Sequence, residues 1–298
     1  MKFNRPLKGL LLSTLVFLRL CGLLHGQSAT GIYGLYYTGE TNSGGLLAGG
    51  AQDSHWSVSY ARVAGVSGNA TYQGAAYVVS SGNVYPGWVP NTTTAQWITA
   101  PGAITSATGG AANSGGDYLP GNGTTGTNSG YYVYQLAFTI AGSGAAGTTV
   151  TNQVAINLTI AADNQYAVYV NPASAPTVDN AGVVSAGGTA ASSAWVTTAW
   201  DNTNALKLQN FGAGAAKNAR FVIGTNYLYV VVANTLSNSG TQAANTLNPS
   251  GLLMYQVGTA MTIDGNPVVP EVGAWLPVAL ALGLFVRKRF CRSAAPAI

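Results

Sequence analysis

One acidic residue and one histidine stand close together in the middle of the sequence and form its most plausible acid–base pair. Asp53 and His55 are separated by one residue, and His55 is the only histidine between residues 27 and 270. Residues at i and i+2 of a strand share a face, so general acid–base chemistry is conceivable. We favour a simpler interpretation, in which Asp53 accepts hydrogen bonds from backbone amides at a strand entry beside Trp56.

The other carboxylates are scattered along the chain. Glycoside hydrolysis requires two carboxyl groups about 5–10 Å apart, and no acidic residue between residues 27 and 270 lies close in sequence to another. The serine-rich stretches lack a base other than His55. The sequence therefore predicts no catalytic residues and no enzymatic activity.

Asp163 and Asn164 lie between two apolar alternating runs, which favours a tight Asx-type turn. The alternative is a calcium site, with Asp163 and Asn164 as ligands and backbone carbonyls supplying most of the other oxygens. Calcium is the only cofactor that the sequence suggests. Both cysteines, Cys21 and Cys291, lie in the terminal segments, which excludes a disulfide scaffold and a cysteine-based zinc site in the middle.

Aromatic residues are the candidates for ligand binding. Tyr85, Trp88 and Trp97 could stack on pyranose rings, and Trp88 lies in a loop between Pro86 and Pro90. The alternative for each ring is packing in the core of a β-protein.

The elements that must position these residues are β-strands. Apolar side chains alternate with a period of two in several runs, while Gly, Asn, Ser, Thr and Pro fill the intervening segments; the clearest runs are 131–140, 153–161, 166–170, 228–232 and 253–257. Shorter candidates lie at 55–60, 75–80, 194–199, 206–211 and 219–224. Many short strands without a helical stripe predict an all-β fold, a two-sheet antiparallel sandwich.

Charge is concentrated at the two ends of the chain. Only 7% of the 298 residues are charged, and eight of the twelve Lys and Arg residues lie in the terminal segments. The middle is mildly acidic, so a basic nucleic-acid-binding surface is excluded.

Both ends resemble targeting segments. Residues 1–26 combine Lys2, Arg5 and Lys8 with the apolar run 10–18, as in a secretory signal peptide with a helical core. Near the other end, Pro270 and Glu271 precede an uncharged run at 274–286, which predicts a short apolar helix. Three basic residues follow that run: Arg287, Lys288 and Arg289. Thirteen residues span about 20 Å as a helix, so transient membrane insertion fits better than a permanent anchor.

This C-terminal pattern resembles the PEP-CTERM sorting signal of Gram-negative bacteria, although Val272 replaces the usual second proline. The resemblance implies recognition and processing by an exosortase-type enzyme. Several segments further resemble a jelly-roll, galactose-binding-like ectodomain that often precedes such tails; they lie at 34–58, 96–98, 161–164 and 248–252. The resemblance covers roughly residues 34–258 and departs at Asn171-Pro172, where Asn-Gly is common.

We therefore expect three parts: a signal peptide at 1–26, a β-sandwich ectodomain at 27–265, and a sorting segment at 266–298. The expected protein is secreted through the Sec pathway to the outer surface or extracellular matrix of a Gram-negative bacterium. Its expected role is structural or adhesive, with weak binding to extracellular polysaccharide. The alternatives are a secreted carbohydrate-active enzyme and a self-assembling surface-layer subunit.

Overall fold

The computed structural model describes residues 28–61, 71–79, 84, 87–100, 130–178, 184–186, 195–196, 201–212, 219–234, 250–256 and 261–268. This part of the chain contains β-strands and no helix. The strands are β1 (Ala29–Tyr33), β2 (Gln52–Ala61), β3 (Thr71–Val78), β4 (Ile98–Thr99), β5 (Gly130–Gly142), β6 (Val154–Ala162), β7 (Gln165–Val170), β8 (Thr177–Val178), β9 (Val184–Ser185), β10 (Asn204–Gln209), β11 (Gly224–Asn234), β12 (Leu252–Tyr255), β13 (Met261–Ile263) and β14 (Asn266–Pro267).

Twelve strands form one curled antiparallel sheet. Its main path is β14-β13-β6-β12-β4-β3-β2-β5-β11-β7, with β1 on β5 and β10 on β6, while β8 and β9 form a separate small sheet. The predicted all-β antiparallel fold is confirmed. The expected two separate sheets are replaced by one continuous sheet, because β3 pairs with β2 on one side and with β4 on the other.

The main core lies inside the curl and confirms the inward faces predicted from alternation. Ile156 and Leu158 of β6 are buried in one cluster with Tyr134 of β5 and Val230 of β11. Alternate side chains of a strand point to opposite faces, so each of these strands supplies every second residue to the core.

Strand β12 differs from the prediction. The sequence pattern grouped Leu253 with Tyr255, but Leu252 and Met254 enter the main core, and Leu253 is buried in a second cluster on the outer face. A strand that is buried on both faces shows no polar alternation, so its inward face cannot be identified from the pattern alone.

Only some of the shorter segments predicted as strands form strands in the structure. Strands β2, β3 and β10 occupy three of them, whereas 219–224 and 194–199 contribute isolated bridges, at Val222 and Val196 respectively. Six strands were not predicted: β1, β4, β8, β9, β13 and β14. They have five residues or fewer, which is too short for a clear period.

The outer face of the sheet carries two further apolar clusters. The first, which we call the tryptophan cluster, joins Trp88 and Trp97 to Val79, Ala161 and Leu253. The second packs the small β8–β9 sheet on β7 and β11, and contains Ala167, Tyr169, Ala186, Tyr229 and Val231.

The ends of the chain mostly lie outside the described residues, including both predicted terminal helices. The described part contains no helix that is long and apolar enough to cross a membrane. Strand β14 and Val268 belong to the sheet, with the Val268 amide bonded to the Met261 carbonyl. The folded part therefore extends to Val268, three residues beyond the boundary expected at residue 265.

Candidate functional site

Asp53 is a buried carboxylate that holds the loop before β2. Its Oδ2 accepts a hydrogen bond from the Gly39 amide at 2.8 Å, and its Oδ1 accepts one from the His55 amide at 3.0 Å. Burial raises the pKa of Asp53, while hydrogen bonds from backbone amides and the nearby His55 oppose that shift. The favoured interpretation, in which Asp53 accepts backbone hydrogen bonds at a strand entry beside Trp56, is confirmed.

His55 is held by groups on both sides of its ring. Its Nε2 lies 2.7 Å from Oδ1 of Asn42, and its Nδ1 lies 3.5 Å from Oδ1 of Asp53. The ring also stacks on Tyr36, with centroids 3.6 Å apart. A general base needs a nitrogen that reaches the substrate, whereas both nitrogens of His55 face oxygen atoms of this chain. This arrangement favours a structural role for the pair.

Glu40 lies near this pair, and its carboxylate also accepts a hydrogen bond from a backbone amide of the same loop. Its Oε2 accepts a hydrogen bond from the Tyr37 amide at 2.7 Å. Burial raises the pKa of Glu40, and the negative charge of Asp53 adds to the increase. The carboxyl groups of Glu40 and Asp53 thus lie in one loop region, and each accepts hydrogen bonds from backbone amides.

Trp88 and Trp97 lie inside the tryptophan cluster and not on a loop surface. Their exposed fractions are 5% and 0%, and their rings stack with centroids 4.2 Å apart. Trp97 donates its indole N–H to the Val89 carbonyl at 2.8 Å. Their burial favours the alternative of core packing over stacking on sugars, because the two rings stack on each other and are covered by their cluster. Tyr85, the third predicted aromatic, lies outside the described residues.

Gly251 explains how the two indoles fit against the sheet. A Cβ at this position would lie 2.8 Å from Cη2 of Trp88 and 3.0 Å from Cε3 of Trp97. Only a residue without a side chain leaves room for both rings. Trp97 and Gly251, which belong to two of the segments that the sequence analysis singled out, therefore meet at this cluster.

Asp163 is buried next to the tryptophan cluster and bonds to one of its indoles. The residue is only 4% exposed, and its Oδ2 accepts the indole N–H of Trp88 at 3.0 Å. Burial raises the pKa of Asp163 from its ordinary value to about 7, and the hydrogen bond from Trp88 opposes that increase. The tight connection predicted between β6 and β7 is present, but the side chain bonds to a distant indole.

The calcium interpretation of Asp163 and Asn164 stays a prediction. The backbone amide of Asp163 donates a hydrogen bond to the Gly251 carbonyl and that of Asn164 to the Ala233 carbonyl. In the part of the chain that the structure describes, no three His, Cys, Asp or Glu residues are grouped as metal ligands would be.

The predicted sorting residues lie outside the described residues; they are Pro270, Glu271, Arg287, Lys288 and Arg289. The structure brings Asp163 together with Trp88 and Trp97, which the sequence analysis treated separately from it. Asp53 and His55, which the sequence analysis considered as a pair, also lie side by side.

Sequence reasoning missed an exposed aromatic residue on the outer face of β11. Tyr227 is 40% exposed, and its ring centroid lies 6.3 Å from that of the buried Tyr229. The signal was present in the sequence, since these residues alternate with the inward residues Leu228 and Val230. Only the inward half of that alternation was given a role.

Comparisons of the chain with protein-family models, with curated proteins and with solved structures find no match.

Proposed function

We propose that this chain is a secreted protein of a bacterial surface or extracellular matrix, with a structural or adhesive ectodomain that binds glycans weakly. This localisation is supported by the signal-like residues 1–26 and by the tail at 266–298. In this proposal the ectodomain is related to jelly-roll proteins, and its curled antiparallel sheet is compatible with that relationship.

The main support for a non-catalytic role is that the carboxyl groups bond to other parts of this chain. Asp53 and Glu40 accept hydrogen bonds from backbone amides, and Asp163 accepts one from an indole N–H. Asp264 accepts one from the Gln153 amide at 2.8 Å. Each of these groups is bonded to its own chain. Such carboxylates stabilise loops and turns, whereas a hydrolase needs a pair that faces a substrate.

Processing of the tail is the most direct test of the address. We expect the exported protein, produced in a bacterium that contains an exosortase, to lose the segment that begins near Pro270. Mass spectrometry of the surface fraction should then recover peptides of the ectodomain and none that contains Arg292.

The control for this experiment is the double variant Pro270→Ala, Glu271→Ala, which keeps the apolar run and the basic end. We expect this variant to retain its tail and to remain in the membrane fraction. Recovery of Arg292 on the wild-type surface protein would contradict the sorting proposal.

A further inference from the structure

The outer surface where β5 and β11 lie side by side combines exposed tyrosine with small polar residues. We call it the tyrosine face and define it by Gln135, Ala137 and Thr139 of β5 with Tyr227 and Tyr229 of β11. Tyr227 is 40% exposed and Tyr229 is 9% exposed. Their rings are tilted by 34° with centroids 6.3 Å apart.

The strand register opens one side of the Tyr227 ring. Ala137 lies directly opposite Tyr227 on β5 and is itself exposed, so no large side chain from that strand covers the ring. Gln135 lies opposite Tyr229, and Thr139 lies two residues beyond Ala137 on the same face. Amide and hydroxyl groups are therefore placed on either side of an accessible aromatic ring.

The small β8–β9 sheet forms a wall along this surface. Its Val178 and Val184 pack on the cluster that buries Tyr169, Tyr229 and Val231. Tyr227 does not belong to that cluster. Tyr229 is therefore almost fully buried, whereas the neighbouring Tyr227 ring is exposed.

Charge determines which ligand suits this surface. Strands β5 and β11, which build it, contain no Asp, Glu, Lys or Arg, and neither do the neighbouring β1 and β7. Strand β2 also pairs with β5 and contains Asp53, but that carboxylate is buried and bonded to backbone amides. A charged polymer would be desolvated here without a partner for its charge, which is unfavourable. Aromatic rings with a polar tip, together with amides and hydroxyls, suit a neutral ligand that has both apolar faces and hydroxyl groups.

We propose that the tyrosine face binds the pyranose rings of a neutral polysaccharide, with one ring stacked on Tyr227. This site rests on the glycan binding in the proposed function and replaces the location first expected at Trp88. A second copy of the chain fits less well. Stable protein interfaces bury about 800 Å² per partner with an apolar centre, whereas this surface exposes one large ring surrounded by Thr, Ala and Gln.

The test is affinity electrophoresis of the purified full chain in native gels that contain hydroxyethylcellulose, xylan, galactomannan or dextran. We expect at least one of these polysaccharides to retard the wild type. Tyr227→Thr, which keeps a β-forming residue, should weaken that retardation about tenfold through loss of ring stacking. Ala137→Arg should also weaken it, because a long side chain would cover the open side of the ring.

Leu46→Thr is the control. Leu46 is 42% exposed, close to Tyr227, and lies outside the strands that build and flank the tyrosine face. We expect this variant to bind within about twofold of the wild type. Far-UV circular dichroism and the thermal midpoint of each variant show whether it is folded; Ala137→Arg retains the tyrosine if Tyr227→Thr does not fold.

Three results would overturn the site. Retardation that both folded variants preserve would place glycan binding elsewhere and leave the proposed function standing. No retardation of the wild type by any of the four polysaccharides would overturn the site together with the glycan binding, while the sorting experiment would still test the surface address. A dimer in sedimentation that Tyr227→Thr converts to monomer would assign the face to a second copy.

Discussion

Asp163 is a carboxyl group with almost no access to water, and its Oδ2 accepts a hydrogen bond from the uncharged Trp88 indole. Because burial disfavours the charged form, the folded protein binds the proton more tightly than the unfolded chain does. The group therefore destabilises the folded state once it is ionised. This contribution is absent below the unfolded pKa near 3.8 and grows until the pH passes the folded pKa of about 7.

We predict that Asp163→Asn removes this pH dependence. Its Oδ1 can still accept the Trp88 indole N–H, and it has no charge to bury. The free energy of unfolding of the wild type should fall between pH 4 and pH 8, with Asp163 contributing at most about 4 kcal/mol. The free energy of unfolding of Asp163→Asn should fall less over this range, and the variant should be more stable than the wild type at pH 8. Denaturant unfolding at several pH values measures the free energy of unfolding of both proteins.

Asp201→Asn is the control for that experiment, because Asp201 is exposed. It should follow the wild-type pH profile. The pKa values of Glu40 and Asp53 are also raised by burial, so some pH dependence of the same sign should remain in every variant. A profile for Asp163→Asn identical to that of the wild type would show that Asp163 is not desolvated.

At the scale of the element, strand β6 shows how directly a local pattern determines a face. Ile156 is fully buried in the main core, while Thr159 lies on the outer face and is half-buried. The strand pairs with β10 on one side and with β12 and β13 on the other. Strand β6 is thus an interior strand, with partner strands along both of its edges.

Substitution of one inward residue by a charged residue should unfold the protein. Ile156→Asp places an unpaired carboxylate in the core at a cost of several kcal/mol, comparable to the total stability of a domain. We expect its far-UV circular dichroism to lose the β-type signal. Thr159→Asp, at an outward position of the same strand, should keep that signal; equal behaviour of the two variants would contradict the assigned faces.

At the scale of the whole molecule, distant segments of the chain meet in the tryptophan cluster. Trp88 and Trp97 come from the loop before β4, Asp163 from the connection between β6 and β7, and Gly251 from the start of β12. The cluster therefore links parts of the chain that are widely separated in sequence. We expect it to be sensitive to small changes in volume.

Gly251→Ala tests this sensitivity. The added methyl group would lie 2.8 Å from Trp88 and 3.0 Å from Trp97, so the indoles must shift. Overpacking of this kind costs about 1–3 kcal/mol, and the thermal midpoint should fall. Gly45→Ala is the comparison, since its nearest neighbouring atom is Oγ1 of Thr41 at 3.4 Å. A midpoint for Gly251→Ala as high as that of Gly45→Ala would mean that the indoles adjust without cost.

The all-β class, most of the long strands and their inward faces follow from local patterns in the sequence. Tyr134, Ile156 and Val230 were assigned to the core from alternation alone, because the period of two is a local property of an extended strand. The role of Asp53 was likewise predictable, since its partner His55 lies two residues away.

Which aromatic rings are covered depends on contacts between distant segments. Trp88 has the local sequence of an exposed loop residue, yet it is buried because Asp163, Gly251 and Leu253 fold against it. Tyr227 and Tyr229 lie on the same face of one strand, yet only Tyr229 belongs to the cluster on which β8 and β9 pack, and Tyr227 is exposed. Alternation identifies the two faces of a strand, whereas the exposure of an outward side chain depends on which distant segment packs over it.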